Sequence, residues 1–124
     1  MSKRVLVIDD DEAIRKSFTL ALEDTEFGVY TAESGEKGIQ MAKESKFNLI
    51  FPDLKMPGMN GVETLRELRK INSDVPIYIV TAFHKEFLGQ LRDVSKEGIN
   101  FELLHKPVAL KDIASVTKGI LVGQ

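Results

Sequence analysis

Asp9, Asp10, Asp11, Asp53, Thr81 and Lys106 stand at or just beyond the ends of short apolar runs in this 124-residue chain. If those runs are parallel strands, the six residues meet on one rim although they are spread over nearly the whole sequence. Three or more carboxylates in one crevice repel each other and raise each other's pKa unless a cation intervenes. Oxygen-only donors of this kind select a hard ion, Mg²⁺ above all, which needs one or two carboxylates and leaves places for phosphate oxygens. A lysine and a hydroxyl beside such an ion are parts for holding a phosphoryl group. A carboxylate not needed as a ligand can attack phosphorus. Each residue alone has a plainer reading. Asp11 with Glu12 suits the cap and first turn of a helix, a lone Thr81 after a strand is structural, and a lone Lys106 is solvated. An EF-hand is excluded, because the loop lacks the central glycine and the terminal bidentate glutamate. The arrival of acids, hydroxyl and lysine at one rim in this order is what chance does not supply.

The elements that must position them are set by the spacing. Apolar runs recur at 4–8, 28–32, 48–51, 76–80 and 101–104. They are near-continuous rather than alternating, as strands buried on both faces require. Amphipathic patterns lie between them: Ile14, Phe18, Ala21 and Leu22 share one face, then Val62, Leu65, Leu68 and Ile71, and finally Leu110, Ile113, Val116 and Ile120. The second and fourth helical patterns are weaker. Gly38 and Gly89 interrupt them, each costing about 1 kcal/mol against alanine. Five βα units predict a parallel sheet covered on both faces. In such folds the binding crevice lies beyond the carboxyl ends of the strands.

Composition narrows the function classes. An apolar fraction of 43% and a charged fraction of 29% describe a globular chain. The net charge of −2, with scattered Lys and Arg, offers no basic stripe for direct nucleic-acid binding. There is no cysteine, hence no disulfide and no thiolate metal site, which suits the cytoplasm. The apolar stretch Val5–Ile8 is too short for a signal peptide or a membrane span.

The segments "VLVIDDDEAIR", "DLKMPGMNG", "IYIVTA" and "HKP" resemble, in order and approximate spacing, the receiver domain of two-component response regulators, along essentially the full chain. The resemblance implies a flavodoxin-like, doubly wound α/β fold, (βα)5, with a five-stranded parallel sheet of order 2-1-3-4-5. It implies a signalling domain that catalyses only its own aspartyl phosphorylation and dephosphorylation, with Asp53 as phosphoacceptor. A sensor histidine kinase or phosphotransfer protein would be the donor. Mg²⁺, with Mn²⁺ as a substitute, would be bound by Asp10, Asp53 and the backbone carbonyl of Lys55, and by Asp9 through water. Thr81, the backbone N–H of Ala82, and Lys106 would hold the phosphoryl group. The Lys106–Pro107 bond is expected to be cis. An output partner is expected on the face made by the fourth and fifth helices and the fifth strand, with the domain a monomer or a weak phosphorylation-dependent dimer. Residues 1–124 read as one such domain without an output domain. The end "GILVGQ" fits either a natural terminus or a cut in a longer regulator.

Several positions depart from the pattern. Leu103 stands where the family usually has an aromatic switch residue, and the nearest aromatic is Phe101. The interval from Thr81 to Lys106 is a few residues longer than usual, which predicts a remodelled fourth helix. Lys55 and Phe83 are expected to flank the path of a hydrolytic water and so lengthen the phosphoryl lifetime. His84 and His105 read as surface residues. Pro52 sits at the end of a central strand, where it forfeits a ladder hydrogen bond worth about 1 kcal/mol. Two other classes compete: an interaction domain that keeps the fold without switching, and a flavin-binding domain or enzyme on the same fold. The complete acid, hydroxyl and lysine set opposes the first. The lack of a phosphate-cradling loop after the first strand opposes the second.

Overall fold

Residues 3–82 and 84–122 are described by the computed structural model. The apolar runs form five parallel strands: β1 (Arg4–Ile8), β2 (Gly28–Ala32), β3 (Leu49–Pro52), β4 (Tyr78–Thr81) and β5 (Glu102–His105). Helices α1 (Glu12–Ala21), α2 (Gly35–Glu44), α3 (Gly61–Ile71), α4 (Leu88–Lys96) and α5 (Leu110–Leu121) alternate with them. A 3₁₀ turn, Lys85–Phe87, leads into α4 and takes up part of the long interval before Lys106. The fourth strand begins at Tyr78 rather than at Pro76, which has no N–H to pair.

Alternation along the strands divides the core in two. Leu6, Ile8, Ile50, Ile77 and Ile79 face one side and pack with Ile39 of α2, Leu65 and Leu68 of α3, and Leu91 and Val94 of α4. Val5, Val7, Leu49, Phe51 and Val80 face the other and pack with Phe18 of α1 and Ile113 and Leu121 of α5. Fully burying a side chain such as Phe18 or Phe51 contributes about 1.5–3 kcal/mol. Gly38 has a packing reason: a Cβ there would lie 2.3 Å from Ile8 Cδ1, so glycine lets α2 lie against β1. Gly89 has no such neighbour. Ile71 and Leu110, which the helical patterns place inward, are exposed at the ends of their helices.

The strand order is 2-1-3-4-5, with one irregular seam. β1 pairs continuously with β2 and β3, and β4 pairs continuously with β5. Between β3 and β4 only isolated parallel bridges occur, Ile50 with Ile77 and Asp53 with Val80. Pro52 is the last residue of β3 and causes the interruption. Its missing N–H lies on the β4 side, while the β1 side is kept by Asp53 N–H donating to the Ile8 carbonyl at 2.8 Å.

Candidate functional site

The carboxyl end of β1 delivers Asp9 and Asp10. Asp9 is 2% exposed, its N–H donates to the Ala32 carbonyl at 3.0 Å, and its Oδ1 accepts from Asp11 N–H at 2.9 Å. Asp11 caps α1 in turn, its Oδ1 accepting from Ala13 N–H at 2.9 Å, so its backbone serves the site and its side chain serves the helix. Asp10 is exposed. Asp53, beyond β3, is 5% exposed and held by its own N–H bond to β1. Behind it, Gly61 opens α3, and a Cβ at that position would fall 2.4 Å from the Asp53 carbonyl oxygen. Only glycine allows the helix to start so close to the strand end that carries this aspartate.

Thr81 ends β4, 3% exposed, and its carbonyl accepts from Lys106 N–H at 2.7 Å. This bond sets the start of the β5–α5 loop, where the Lys106–Pro107 peptide is cis, as expected from the sequence. Lys106 Nζ then lies 2.9 Å from Asp53 Oδ1 and 3.5 Å from Asp9 Oδ2. Ala82 follows Thr81 and shares with Lys106 and Pro107 an apolar pocket bounded by Ile14, Phe18 and Ile113, which the acids do not line. Acids, hydroxyl and lysine therefore converge on one rim, although they come from four strands.

Burial, more than mutual repulsion, sets the electrostatics. Loss of water raises the Asp53 carboxyl to about 6, and the neighbouring Asp9 and Asp10 charges add to that, against the hydrogen bond from Lys106. Asp9 is raised too, again chiefly by burial, against the Asp11 N–H and Lys106. Burial pulls Lys106 down, but the two carboxylates outweigh it and its pKa is raised. Repulsion between carboxylates, the main cause expected from the sequence, ranks below desolvation here.

A hard cation fits this donor set. Carboxylate oxygens of Asp9, Asp10 and Asp53 lie within 4.8 Å of one another, and all the donors are oxygen. The Lys106 ammonium already lies between two of the carboxylates, which shows that the crevice is built around positive charge.

Sequence reasoning missed the role of Arg15. Its Nη1 donates to the Asp9 carbonyl at 2.7 Å, tying α1 to the backbone of the acid. A cation one turn inside a helix that comes after an acidic strand end was the available signal. Lys55 Nζ lies 3.5 Å from Glu86 Oε1, joining the β3–α3 loop to the 3₁₀ turn. His84 Nδ1 approaches the same oxygen at 3.9 Å. Leu103 is 40% exposed on the edge strand β5, while Phe101 is half-buried against the α2–α3–α4 core. Phe83 lies outside the described residues.

A flavodoxin-like sheet whose strand ends gather acids, a hydroxyl and a lysine defines a class of phosphoryl-accepting signalling domains. The chain belongs to the response regulator receiver domain family, whose match covers residues 5–118. It is a two-component signalling domain rather than a metabolic enzyme. It is similar to the cell cycle response regulator CtrA of Brucella ovis, 44% identical over 78 residues, which are 63% of this chain and 34% of that protein. The chain thus spans about a third of the length of the curated relatives it matches. Among solved structures it is similar to a CheY-like receiver domain protein from Methanospirillum hungatei, with a TM-score of 0.84 and 29% identity over 95% of this chain and 92% of that one. It is also similar to the chemotaxis response regulator CheY4 of Vibrio cholerae, with a TM-score of 0.82 and 26% identity over 98% of this chain and 100% of that one. No described helix is long and apolar enough to cross a membrane.

Proposed function

We propose that Asp53 is the phosphoacceptor and that a phosphohistidine on a sensor kinase or phosphotransfer protein is the donor. The observation that carries this reading is the Lys106 ammonium, 2.9 Å from Asp53 Oδ1 and 3.5 Å from Asp9 Oδ2, in a crevice with a third carboxylate. An Asp53 oxygen attacks phosphorus, and the phosphorus–nitrogen bond breaks with its electron pair going to the imidazole. The transition state is loose, so the protein's work is position and countercharge. Lys106 offsets the repulsion between an anionic nucleophile and an anionic donor. Thr81 and the Ala82 N–H receive phosphoryl oxygens, and Asp53 is mostly ionised above about pH 6. Mg²⁺, or Mn²⁺ in its place, would be held by Asp10, Asp53, the Lys55 carbonyl and, through water, Asp9, and would supply further charge neutralisation.

The aspartyl phosphate is an acyl phosphate, and the domain's own chemistry extends to its hydrolysis. Lys55, paired with Glu86, acts on its lifetime by obstructing water. The product biases a two-state equilibrium read by a partner on the α4–β5–α5 face. Leu103 replaces the usual aromatic there, so any coupling from Thr81 passes through an aliphatic side chain. We read the domain as cytoplasmic, and as a monomer or a weak phosphorylation-dependent dimer.

Incubation with a small phosphodonor and Mg²⁺, followed by intact mass, tests the assignment. The wild type should gain one phosphoryl group and Asp53→Asn none. A variant that gains it equally removes Asp53 from the role.

A further inference from the structure

The seam between β3 and β4 separates the carboxylates from the groups that face them. Along β3, even-numbered amides point at β4: Ile50 N–H donates to the Pro76 carbonyl at 3.0 Å and Leu54 N–H to the Val80 carbonyl at 2.9 Å. The position midway is Pro52, which has no N–H. By the same two-residue step, the carbonyl it would have reached is that of Tyr78. The ladders on either side are whole, with Val5–Ile8 paired to Leu49–Pro52 and Tyr78–Thr81 paired to Glu102–His105. The sheet therefore consists of a β2–β1–β3 part bearing Asp9, Asp10 and Asp53, and a β4–β5 part that leads to Thr81 and Lys106.

Apolar packing continues across the seam, Ile50 with Ile77 and Ile79 on one face and Phe51 with Val80 and Tyr78 on the other. Beside it, side chains of α3 and its cap tie the second part by polar contacts. Asn60 Nδ2 donates to Gln90 Oε1 at 3.3 Å, and Arg66 pairs with Glu97. Arg69 donates to the Val75 carbonyl at 2.6 Å and to the Asn100 carbonyl at 2.7 Å. Most of these ties lie at the surface, where water replaces a polar contact at little cost. A backbone rung inside a sheet has no such substitute.

We propose that Pro52 is a positioning residue: by removing one rung it makes the β3–β4 seam yield. The strands carrying Thr81 and Lys106 then adjust their distance from Asp53 as charge and bulk at that residue change. This rests on the reading of Asp53 as phosphoacceptor, but the yielding of the seam is measurable without any phosphoryl group.

Residue-resolved hydrogen exchange on the complete chain, without donor or metal, is the first test. Pro52→Leu and Pro52→Ala both restore the amide, one with a larger and one with a smaller side chain. In either variant, protection of the β4 and β5 amides should rise about fivefold more than that of the β1 and β2 amides, as one added hydrogen bond implies. An equal rise in both parts, or none in β4 and β5, overturns the proposal. The second test is phosphoryl uptake from a small donor with Mg²⁺. The variants should be slowed about two- to fivefold with Mg²⁺ affinity unchanged, and an unchanged or faster rate overturns the positioning role. A wild type that takes up no phosphoryl group counts against the phosphoacceptor reading instead, and the exchange measurement still decides the seam.

Discussion

In the part of the domain that supplies Asp9, Asp10 and Asp53, each helix starts on a side-chain cap. Asp11 serves α1, Ser34 serves α2, and Asn60 with Glu63 forms a reciprocal capping box on α3. In the part that supplies Thr81 and Lys106, neither α4 nor α5 has a side-chain cap. The strands differ less: the inner strands β1 and β4 are both largely buried, and of the edge strands β2 buries only Ala32 while no residue of β5 is buried. Desolvated carboxylates have to be held together at a cost, and the surrounding structure must over-determine them. The residues that meet an incoming group need less fixed surroundings. Side-chain capping is concentrated where like charges are confined.

The largest expected effect concerns that confinement. The Asp53 carboxyl stands near 6 in the fold against 3.8 as a free side chain, and Asp9 shifts in the same direction. A carboxyl whose pKa is higher folded than unfolded binds more protons in the native state, so it lowers stability as pH rises from about 4 to about 6, and no further above that. For Asp53 this amounts to up to about 3 kcal/mol, at about 1.4 kcal/mol per unit. In chemical melts without metal, Asp53→Asn should therefore gain on the wild type between pH 4 and pH 7. Added Mg²⁺ should restore the wild type at pH 7 and leave the variant nearly unchanged. A constant difference across that range would mean that the carboxylates are not strained by burial.

A smaller effect separates the capped part from the uncapped one. Asn60→Ala removes the side-chain half of the capping box, the Oδ1 that accepts from Glu63 N–H, while its backbone N–H still donates to Glu63 Oε1. It should cost about 0.5–2 kcal/mol in a denaturant melt. Ala109→Asp places a cap on α5, where the backbone is already extended, and should add about 0.5–1 kcal/mol. If both changes are neutral, capping is not what distinguishes the two parts. The smallest expected effect concerns Thr117. Among the described residues its buried hydroxyl has no hydrogen-bond partner, so Thr117→Val, of nearly equal shape, should raise stability by about 1 kcal/mol or less. A loss of stability would reveal a partner for the hydroxyl.

Strands and rim residues were readable because a parallel sheet buried on both faces leaves continuous apolar runs, and the residue after each run is displayed at one edge. Asp53, Thr81 and Lys106 could be placed by that rule. The side of β3 on which Pro52 forfeits its bond could not, because it depends on the register between strands. Ile71 and Leu110 continued the helical period, yet they lie in the last turn of α3 and the first turn of α5, where the neighbouring layer no longer covers them. Arg69 gathers carbonyls from the loops around β4 and β5, a contact spanning 31 residues that no local pattern encodes. The dominance of burial over repulsion at Asp53 also needed the depth of the crevice, which spacing does not report.

The chain has two tyrosines and no tryptophan. They fall on opposite sides of the β3–β4 seam: Tyr30 on β2, with its ring 5.7 Å from that of Phe47, and Tyr78 on β4, with its ring 6.1 Å from that of Phe51. Each part of the sheet therefore carries its own native chromophore. In Tyr30→Phe the remaining phenol, Tyr78 against Phe51 of β3, spans the seam itself, so near-ultraviolet circular dichroism can follow the β3–β4 contact optically without an added label.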